Sequence, residues 1–360
     1  MNAKKTGTSD LPLHYGSAPA WLFTRMRALA REVIQVIASD YDSYEFIKRL
    51  SDPYWFQAFG CVLGFDWHSS GVTTTVCGAV KDGLRGIEGD LGLYAAGGKG
   101  ATSRKTPQEI ERWCDGIGLE PSGLVKSSKM SAKVDSAAVQ DGYQIYHHMF
   151  LFTADGRWGV VQQGMNTENK QARRYHWLGE KVSDFVREPH AAVCCDQTGV
   201  TLNMVAEESE GARETSAGLA RERPELVVAD VGKLQSLVLP SRHEVLVSDV
   251  NPARLKSILL ETYERQPADF EQLLAMKGVG AKTIRALSLV SELVYGEAPS
   301  TRDPARFSFA HGGKDGFPYP VDRTTYDESI EFLSDALRQA KVDRTEKIEA
   351  FRRLRSLGGG

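Results

Sequence analysis

The residues Lys277-Gly278-Val279-Gly280 constrain this chain most tightly, because they separate two apolar stripes of helical period. Phe270, Leu273 and Leu274 precede them, and Ile284, Leu287, Val290 and Leu293 follow at helical spacing. The two glycines predict a turn too tight for residues that carry a Cβ. Val279 between them is placed to plug the space between the helices. Such a turn points backbone N–H groups outward at the start of the second helix, which is an anion site by construction. Lys282 and Thr283 stand beside it, ready to add a charge and a hydroxyl to the same phosphate.

This stretch resembles a helix-hairpin-helix motif, spanning 267–295. Such a module grips the nucleic-acid backbone without reading base sequence. The resemblance implies Lys277, Gly278, Val279, Gly280, Lys282 and Thr283 as DNA contacts. The formal net charge is −3, so a nucleic-acid surface must be a local patch rather than a general basic coat. The 360 residues, 41% of them hydrophobic, predict a globular chain of two or three domains. No apolar run is long enough to cross a bilayer. The N-terminus, MNAKKTGTSDLPL, lacks the apolar core of a signal peptide. The expectation is a cytoplasmic protein with no membrane partner. Its five cysteines form no CxxC pair and predict reduced thiols, with Cys194-Cys195 filling a buried strand.

Along the chain, residues 20–50 read as one long helix carrying Trp21, Met26, Leu29, Val33, Val36 and Ile37 in a stripe. Thr73 to Leu84 reads as a helix broken by Gly78. Thr106-Pro107-Gln108-Glu109 has the form of a capping box, opening a helix that runs to about Cys114. From Tyr143 the period changes to that of strands. Two β runs flank Asp155-Gly156, a hairpin turn signal. HAAVCCD predicts a further strand of the same sheet. The composition shift near Arg221 to Pro224 divides an N-terminal α+β domain (1–222), expected to be catalytic, from a helical domain (223–360). The fold class is therefore α+β, a mixed half with a β-hairpin-containing sheet followed by a mostly helical half.

Several longer phrases are similar to one family: LPLHYG, RLSDPYWFQAFGCVLGFDWHSSGVTT, AAGGKGATSRKTPQEI, AKVDSAAVQDGYQIYHHMFLF, GRWGVVQQGMN and DPARFSFAHGGKDGFPYPVDR. They resemble domain-of-unknown-function family 763 along nearly the whole chain. The resemblance implies prokaryotic origin and a recurrent coupling of this N-terminal half to a helix-hairpin-helix. It carries no reaction, so the chemistry has to come from the residues.

Four phrases hold chemistry-bearing side chains. Asp66 and His68 are two residues apart, on one face of a strand. They are either a usable metal or acid–base pair or, alternatively, part of a cap in which Asp or Ser closes the helix at Thr73 and the backbone satisfies His68. Asp135, Asp141 and a histidine of His147-His148 are oxygen and imidazole donors suited to Mg²⁺ or Mn²⁺. Strand alternation puts Tyr146 and His148 on one face and His147 on the other, with Gln162 and Gln163 on the returning strand. Gly97-Gly98-Lys99-Gly100 with Arg104, Lys105 and Thr106 predicts a phosphate cradle at a helix start, without the spacing of a Walker loop. Phe307 to Gly316 is either a contact for unstacked bases or a clasp between domains.

Together these residues predict a DNA-acting enzyme of repair or processing, foremost a metal-dependent nuclease. Asp66, His68, Asp135, Asp141 and His148 are its candidate catalytic residues, and Asp66, Asp135, Asp141 and His148 its candidate metal ligands. Lys99, Arg104 and Lys105 join the hairpin as backbone contacts, and a homo-oligomer is compatible with the sequence. One alternative is a helix-hairpin-helix glycosylase or lyase, which the positions of Lys282 and Asp303 resemble, with Lys282 attacking the sugar. Another is a DNA-binding scaffold without catalysis.

Overall fold

The computed structural model describes residues 18–65, 70–195, 197–234, 252–305 and 323–358. The apolar stripe after Trp21 forms α1 (Ala20–Asp40), which ends at Tyr41 instead of running on to 50 as expected. Asp42 explains the break. Its carboxylate accepts from the Glu45 N–H and caps a new helix, α2 (Ser43–Ser51). Asp52 repeats the device on the Trp55 N–H, with Pro53 opening α3 (Pro53–Leu63). Next, α4 (Gly71–Leu84) runs straight through Gly78, the expected break. One interior glycine costs a helix only about 1 kcal/mol, and Val72, Val76, Cys77 and Val80 bury α4 on either side of it.

A one-turn α5 (Glu88–Leu91) leads into β1 (Leu93–Lys99). A 3₁₀ turn, Gly100–Lys105, then merges with α6 (Thr106–Ile117). Helix α7 (Ser122–Lys133) continues as a π-helical turn, Val134–Ala138, into β2 (Val139–Gln140). Strands β3 (Gln144–Thr153) and β4 (Trp158–Asn166) form the expected hairpin around Asp155-Gly156. Then come β5 (Gln171–Leu178), β6 (Ala192–Cys194) and β7 (Leu202–Asn203). Helices α8 (Glu210–Leu219), α9 (Pro224–Leu234), α10 (Pro252–Arg265), α11 (Phe270–Ala275) and α12 (Ala281–Tyr295) follow. Two helices, α13 (Arg323–Gln339) and α14 (Arg344–Gly358), end the described chain.

The sheet order is β1-β3-β4-β5-β6, with every pairing antiparallel, and β2 pairs with β7 separately. The strand expected at HAAVCCD is β6, on the edge beside β5. Alternation sorts the side chains into two cores. Leu93, Ala95, Met149, Leu151, Val161 and Leu178 pack with α1–α4, α13 and α14. Tyr94, Ala96, Phe150, Phe152, Tyr175 and Trp177 pack with α6–α12. The class is α+β, a five-stranded antiparallel sheet between two helical layers. The second core runs from Tyr94 to Val290 and so crosses the composition shift at 221–224, where the chain turns from α8 into α9. Helices α13 and α14 return to the first core, with Leu333, Leu337, Ala350 and Leu354 buried there.

Candidate functional site

Toward one end of the sheet the apolar rows give way to buried polar side chains. On β3 the pairing register with β4 slips between Ile145 and His147, and a bulge of this kind takes one residue out of alternation. Tyr146 therefore does not share a face with His148, as strict alternation predicts. It lies on the His147 side, where Gln163 Nε2 donates to its hydroxyl (2.5 Å) and to the Ser70 carbonyl (2.9 Å). Gln162 and His148 occupy the opposite face.

On the His148 face the hydrogen positions are determined by a single chain of bonds. Gln162 Nε2 donates to Asp135 Oδ2 (2.5 Å), which turns Gln162 Oε1 toward His148 Nδ1 (2.8 Å). His148 Nδ1 must then carry the proton, so Nε2 accepts from the Ser128 hydroxyl at 2.9 Å. Burial pulls the His148 pKa below its ordinary value, which keeps the ring neutral in this role. Asp135 also accepts from Trp177 Nε1 (2.9 Å) and from His190 Nε2 (2.5 Å). Its side chain is fully buried, whereas the His190 side chain keeps 8% exposure. With Nε2 engaged by Asp135, His190 Nδ1 is the ring nitrogen without a hydrogen bond among the described residues. A carboxylate that orients an imidazole in this way equips it to move a proton.

Asp141 lies on the same sheet face in a second network. Its Oδ2 accepts from the Tyr175 hydroxyl (2.6 Å) and Arg173 Nη1 (2.9 Å), and its Oδ1 from the Tyr143 N–H (3.0 Å). Arg173 Nη2 reaches Asp303 Oδ2 at 2.8 Å. Burial opposes the charge on Arg173, but Asp141, Tyr175 and Asp303 outweigh it and hold its pKa well above the usual value. Asp303 is further held by the N–H groups of Gly199 and Ala305. It serves this buried ion pair, while Lys282 is exposed on the surface.

Asp135, Asp141 and His148 are thus brought to one face but not to one point. Gln162 stands between His148 and Asp135, and Arg173 and Tyr175 occupy Asp141. Each carboxylate oxygen already accepts a protein hydrogen bond, and both His148 nitrogens are engaged. These three side chains do not fit a Mg²⁺ or Mn²⁺ ligand set, and no group of three metal-binding side chains occurs among the described residues. Asp66 and His68, the other proposed ligands and catalytic residues, lie outside the described residues, as does the Phe307–Gly316 phrase.

The phosphate cradle expected at Thr106 takes a different form. The 3₁₀ turn runs directly into α6, the Thr106 N–H donates to Ser103 O, and the Thr106 hydroxyl bonds the same carbonyl at 2.6 Å. Glu109 does not reach back to close a capping box. It accepts from the Gly97 N–H (2.9 Å) and Lys81 Nζ (2.6 Å), tying β1 to α6. Gly97 has φ +91°, and a Cβ there would stand 2.2 Å from His148 O. Lys99, Arg104 and Lys105 are all exposed around this loop.

The reversal between α11 and α12 does occur at Lys277-Gly278-Val279-Gly280. Val279 is fully buried against Leu273, Leu274, Ile284 and Leu287. The two glycines differ from expectation. Gly278 needs its left-handed backbone (φ +87°), which favours glycine. Gly280 is extended (φ −146°, ψ −172°), and nothing lies within 4 Å of a Cβ built on it. The fold does not require a glycine there, and its absence of a side chain leaves the start of α12 open. No side chain caps that helix start. Lys277 and Lys282 are exposed beside it, whereas Thr283 is buried and holds its hydroxyl away from the surface.

Residues 7–321 match the family described as "Protein of unknown function (DUF763)". The chain belongs to this family. No curated protein and no solved structure matches it. Three polar residues central to this family member's networks carry no signal in the sequence: His190, Trp177 and Arg173. Each meets its partner only when the sheet packs on segments distant in sequence, the π-helical turn that holds Asp135 and the loops that hold Asp141 and Asp303, so spacing along the chain does not reveal them.

Proposed function

We propose that this DUF763 member binds the DNA backbone, independently of base sequence, through the turn between α11 and α12, and cuts the bound strand in repair or processing. Gly280 carries the binding half of this reading. Neither its backbone angles nor its packing calls for a glycine, but close approach of a phosphate to the amides at the start of α12 does. Lys277 and Lys282 supply exposed charge on either side. The cutting half rests on His190, whose imidazole is oriented by buried Asp135 and keeps 8% exposure. Asp135 follows Lys133 by two residues, and Lys133 contacts the turn itself, so the two features belong to one continuous segment.

The test is the binding of short duplex and single-stranded DNA across a salt series. Affinity should fall linearly with salt on logarithmic axes and vary little with base sequence. Gly280→Val should melt like the parent, yet bind at least about tenfold more weakly. A folded Gly280→Val that binds as tightly as the parent rules out the turn as the interface. Cutting is assayed on the same DNA with EDTA, Mg²⁺ or Mn²⁺, and by borohydride trapping on an abasic site. Strand breaks that vanish in His190→Gln support the reading. A trapped adduct would assign the chemistry to a lysine instead, and no product under any condition leaves backbone binding alone.

A further inference from the structure

Lys133 ends α7, far from the hairpin in sequence, yet its ammonium lies behind the turn. Nζ donates to Met276 O at 3.2 Å and, more closely, to Val279 O. These carbonyls belong to the peptide units that enter and leave Lys277-Gly278-Val279. In a trans peptide the C=O and the N–H of the next residue point in opposite directions, and no cis bond occurs among the described residues. Holding Met276 O and Val279 O inward therefore turns the N–H groups of Lys277 and Gly280 away from Lys133. Neither N–H has a partner among the described residues. A cation against the carbonyl ends also polarises both units, so that the outward hydrogens become more positive. Gln140 steadies the adjoining helix start, donating to Ala281 O (2.9 Å) and accepting from Arg285 Nε (2.8 Å).

We infer that Lys133 is the positioning residue of the anion-binding turn, a buried-side cation that does not touch the phosphate but fixes and polarises the amides that do. This rests on the backbone-binding reading above. The plainer role for the same contacts is a tether that ties the turn after α11 to the end of α7. The two roles separate in a salt series. Lys133→Met keeps the aliphatic stem and removes the ammonium. Affinity for duplex DNA should fall about tenfold at every salt concentration, with an unchanged salt slope because no counterion-releasing contact is lost. Lys282→Ala should instead flatten the slope by about 1. A tether alone would lower the melting temperature of Lys133→Met and leave its Kd unchanged, and that result overturns the inference. If Lys133→Met does not fold, the unmodified protein decides. Amide resonances of Lys277 and Gly280 should shift on titration with duplex DNA, and unmoved resonances at both overturn the inference. Unchanged binding in Lys282→Ala and Gly280→Val as well would place the failure on the backbone-binding reading itself, and the role of Lys133 would fall with it.

Discussion

His147 and His148 are neighbours on β3 with opposite fates, and the glutamines across the strand repeat the contrast. On the face toward α6–α12, His148 uses both ring nitrogens, and Gln162 is bonded at both ends of its amide. On the face toward α1–α4, His147 is 1% exposed with neither nitrogen partnered, and Gln163 Oε1 is likewise without a donor. Burial, with His148 and Lys99 nearby, pushes the His147 pKa down to about 3. Equal burial of the same residue types therefore has unequal consequences. A completed network fixes tautomers and rotamers and holds its face together. An uncompleted one costs stability, of order 1–3 kcal/mol for each stranded group. Stability should depend on His148 and Gln162 but not on His147. Arg174 and His176, on the same face as His147, are bonded to Gln57, Thr73 and Leu50 O and belong with the completed networks.

The largest expected effect is at Asp135. Asp135→Leu strands three buried donors, Gln162 Nε2, Trp177 Nε1 and His190 Nε2, at once. Removing one partner from a buried charged network typically costs about 3–5 kcal/mol. Urea unfolding should show the loss as a lower midpoint at unchanged slope. A loss below about 1 kcal/mol would mean that apolar packing alone holds this face.

These networks show where the sequence was readable and where it was not. The β-hairpin at Asp155-Gly156 and the helical reversal around Val279 are local, since turn chemistry and periodicity lie within one short window, and both appear where expected. The α+β class follows from the same signals. The polar networks are not local: His190 meets Asp135 across 55 residues, Arg173 meets Asp303 across 130, and Lys133 meets Met276 across 143. The β3 bulge depends on register with β4, which no pattern within β3 specifies. At Thr106 a sound local signal was overridden, because the 3₁₀ turn extends the helix backward and Lys81 with the Gly97 N–H claims Glu109. The helix expected over 20–50 breaks after the last residue of its stripe, Ile37, because Asp42 caps a second helix, a local signal that the expectation of one helix passed over.

A pair of matched substitutions sets the two faces against each other. His148→Leu leaves Ser128 and Gln162 without their partner and should cost about 2–3 kcal/mol. His147→Leu removes two stranded nitrogens and replaces them with apolar surface. It should be neutral within about 0.5 kcal/mol, or stabilising. Parallel urea titrations of the two variants check the difference. Equal losses would show that His147 has a bound solvent or ligand partner, and the two faces would then be alike.

Acid sensitivity gives the smallest and most selective effect. For His147 the unfolded chain carries the ordinary pKa of 6.5, while the folded value is pushed down to about 3. Between these values the unfolded state binds the proton and the folded state does not, so stability rises with pH. The contribution is complete above about pH 6.5 and drains away as pH falls toward 3, by about 1.4 kcal/mol for each pH unit. His148 and His176 are also depressed by burial and add to the same trend. The part due to His147 is isolated by difference. Between about pH 6.5 and pH 5 the parent should lose about 2 kcal/mol more than His147→Leu. Urea midpoints for both proteins at those two pH values measure it directly. Parallel losses would mean that His147 is protonated in the folded state or reached by water, and the contrast between the faces would narrow to hydrogen-bond geometry alone.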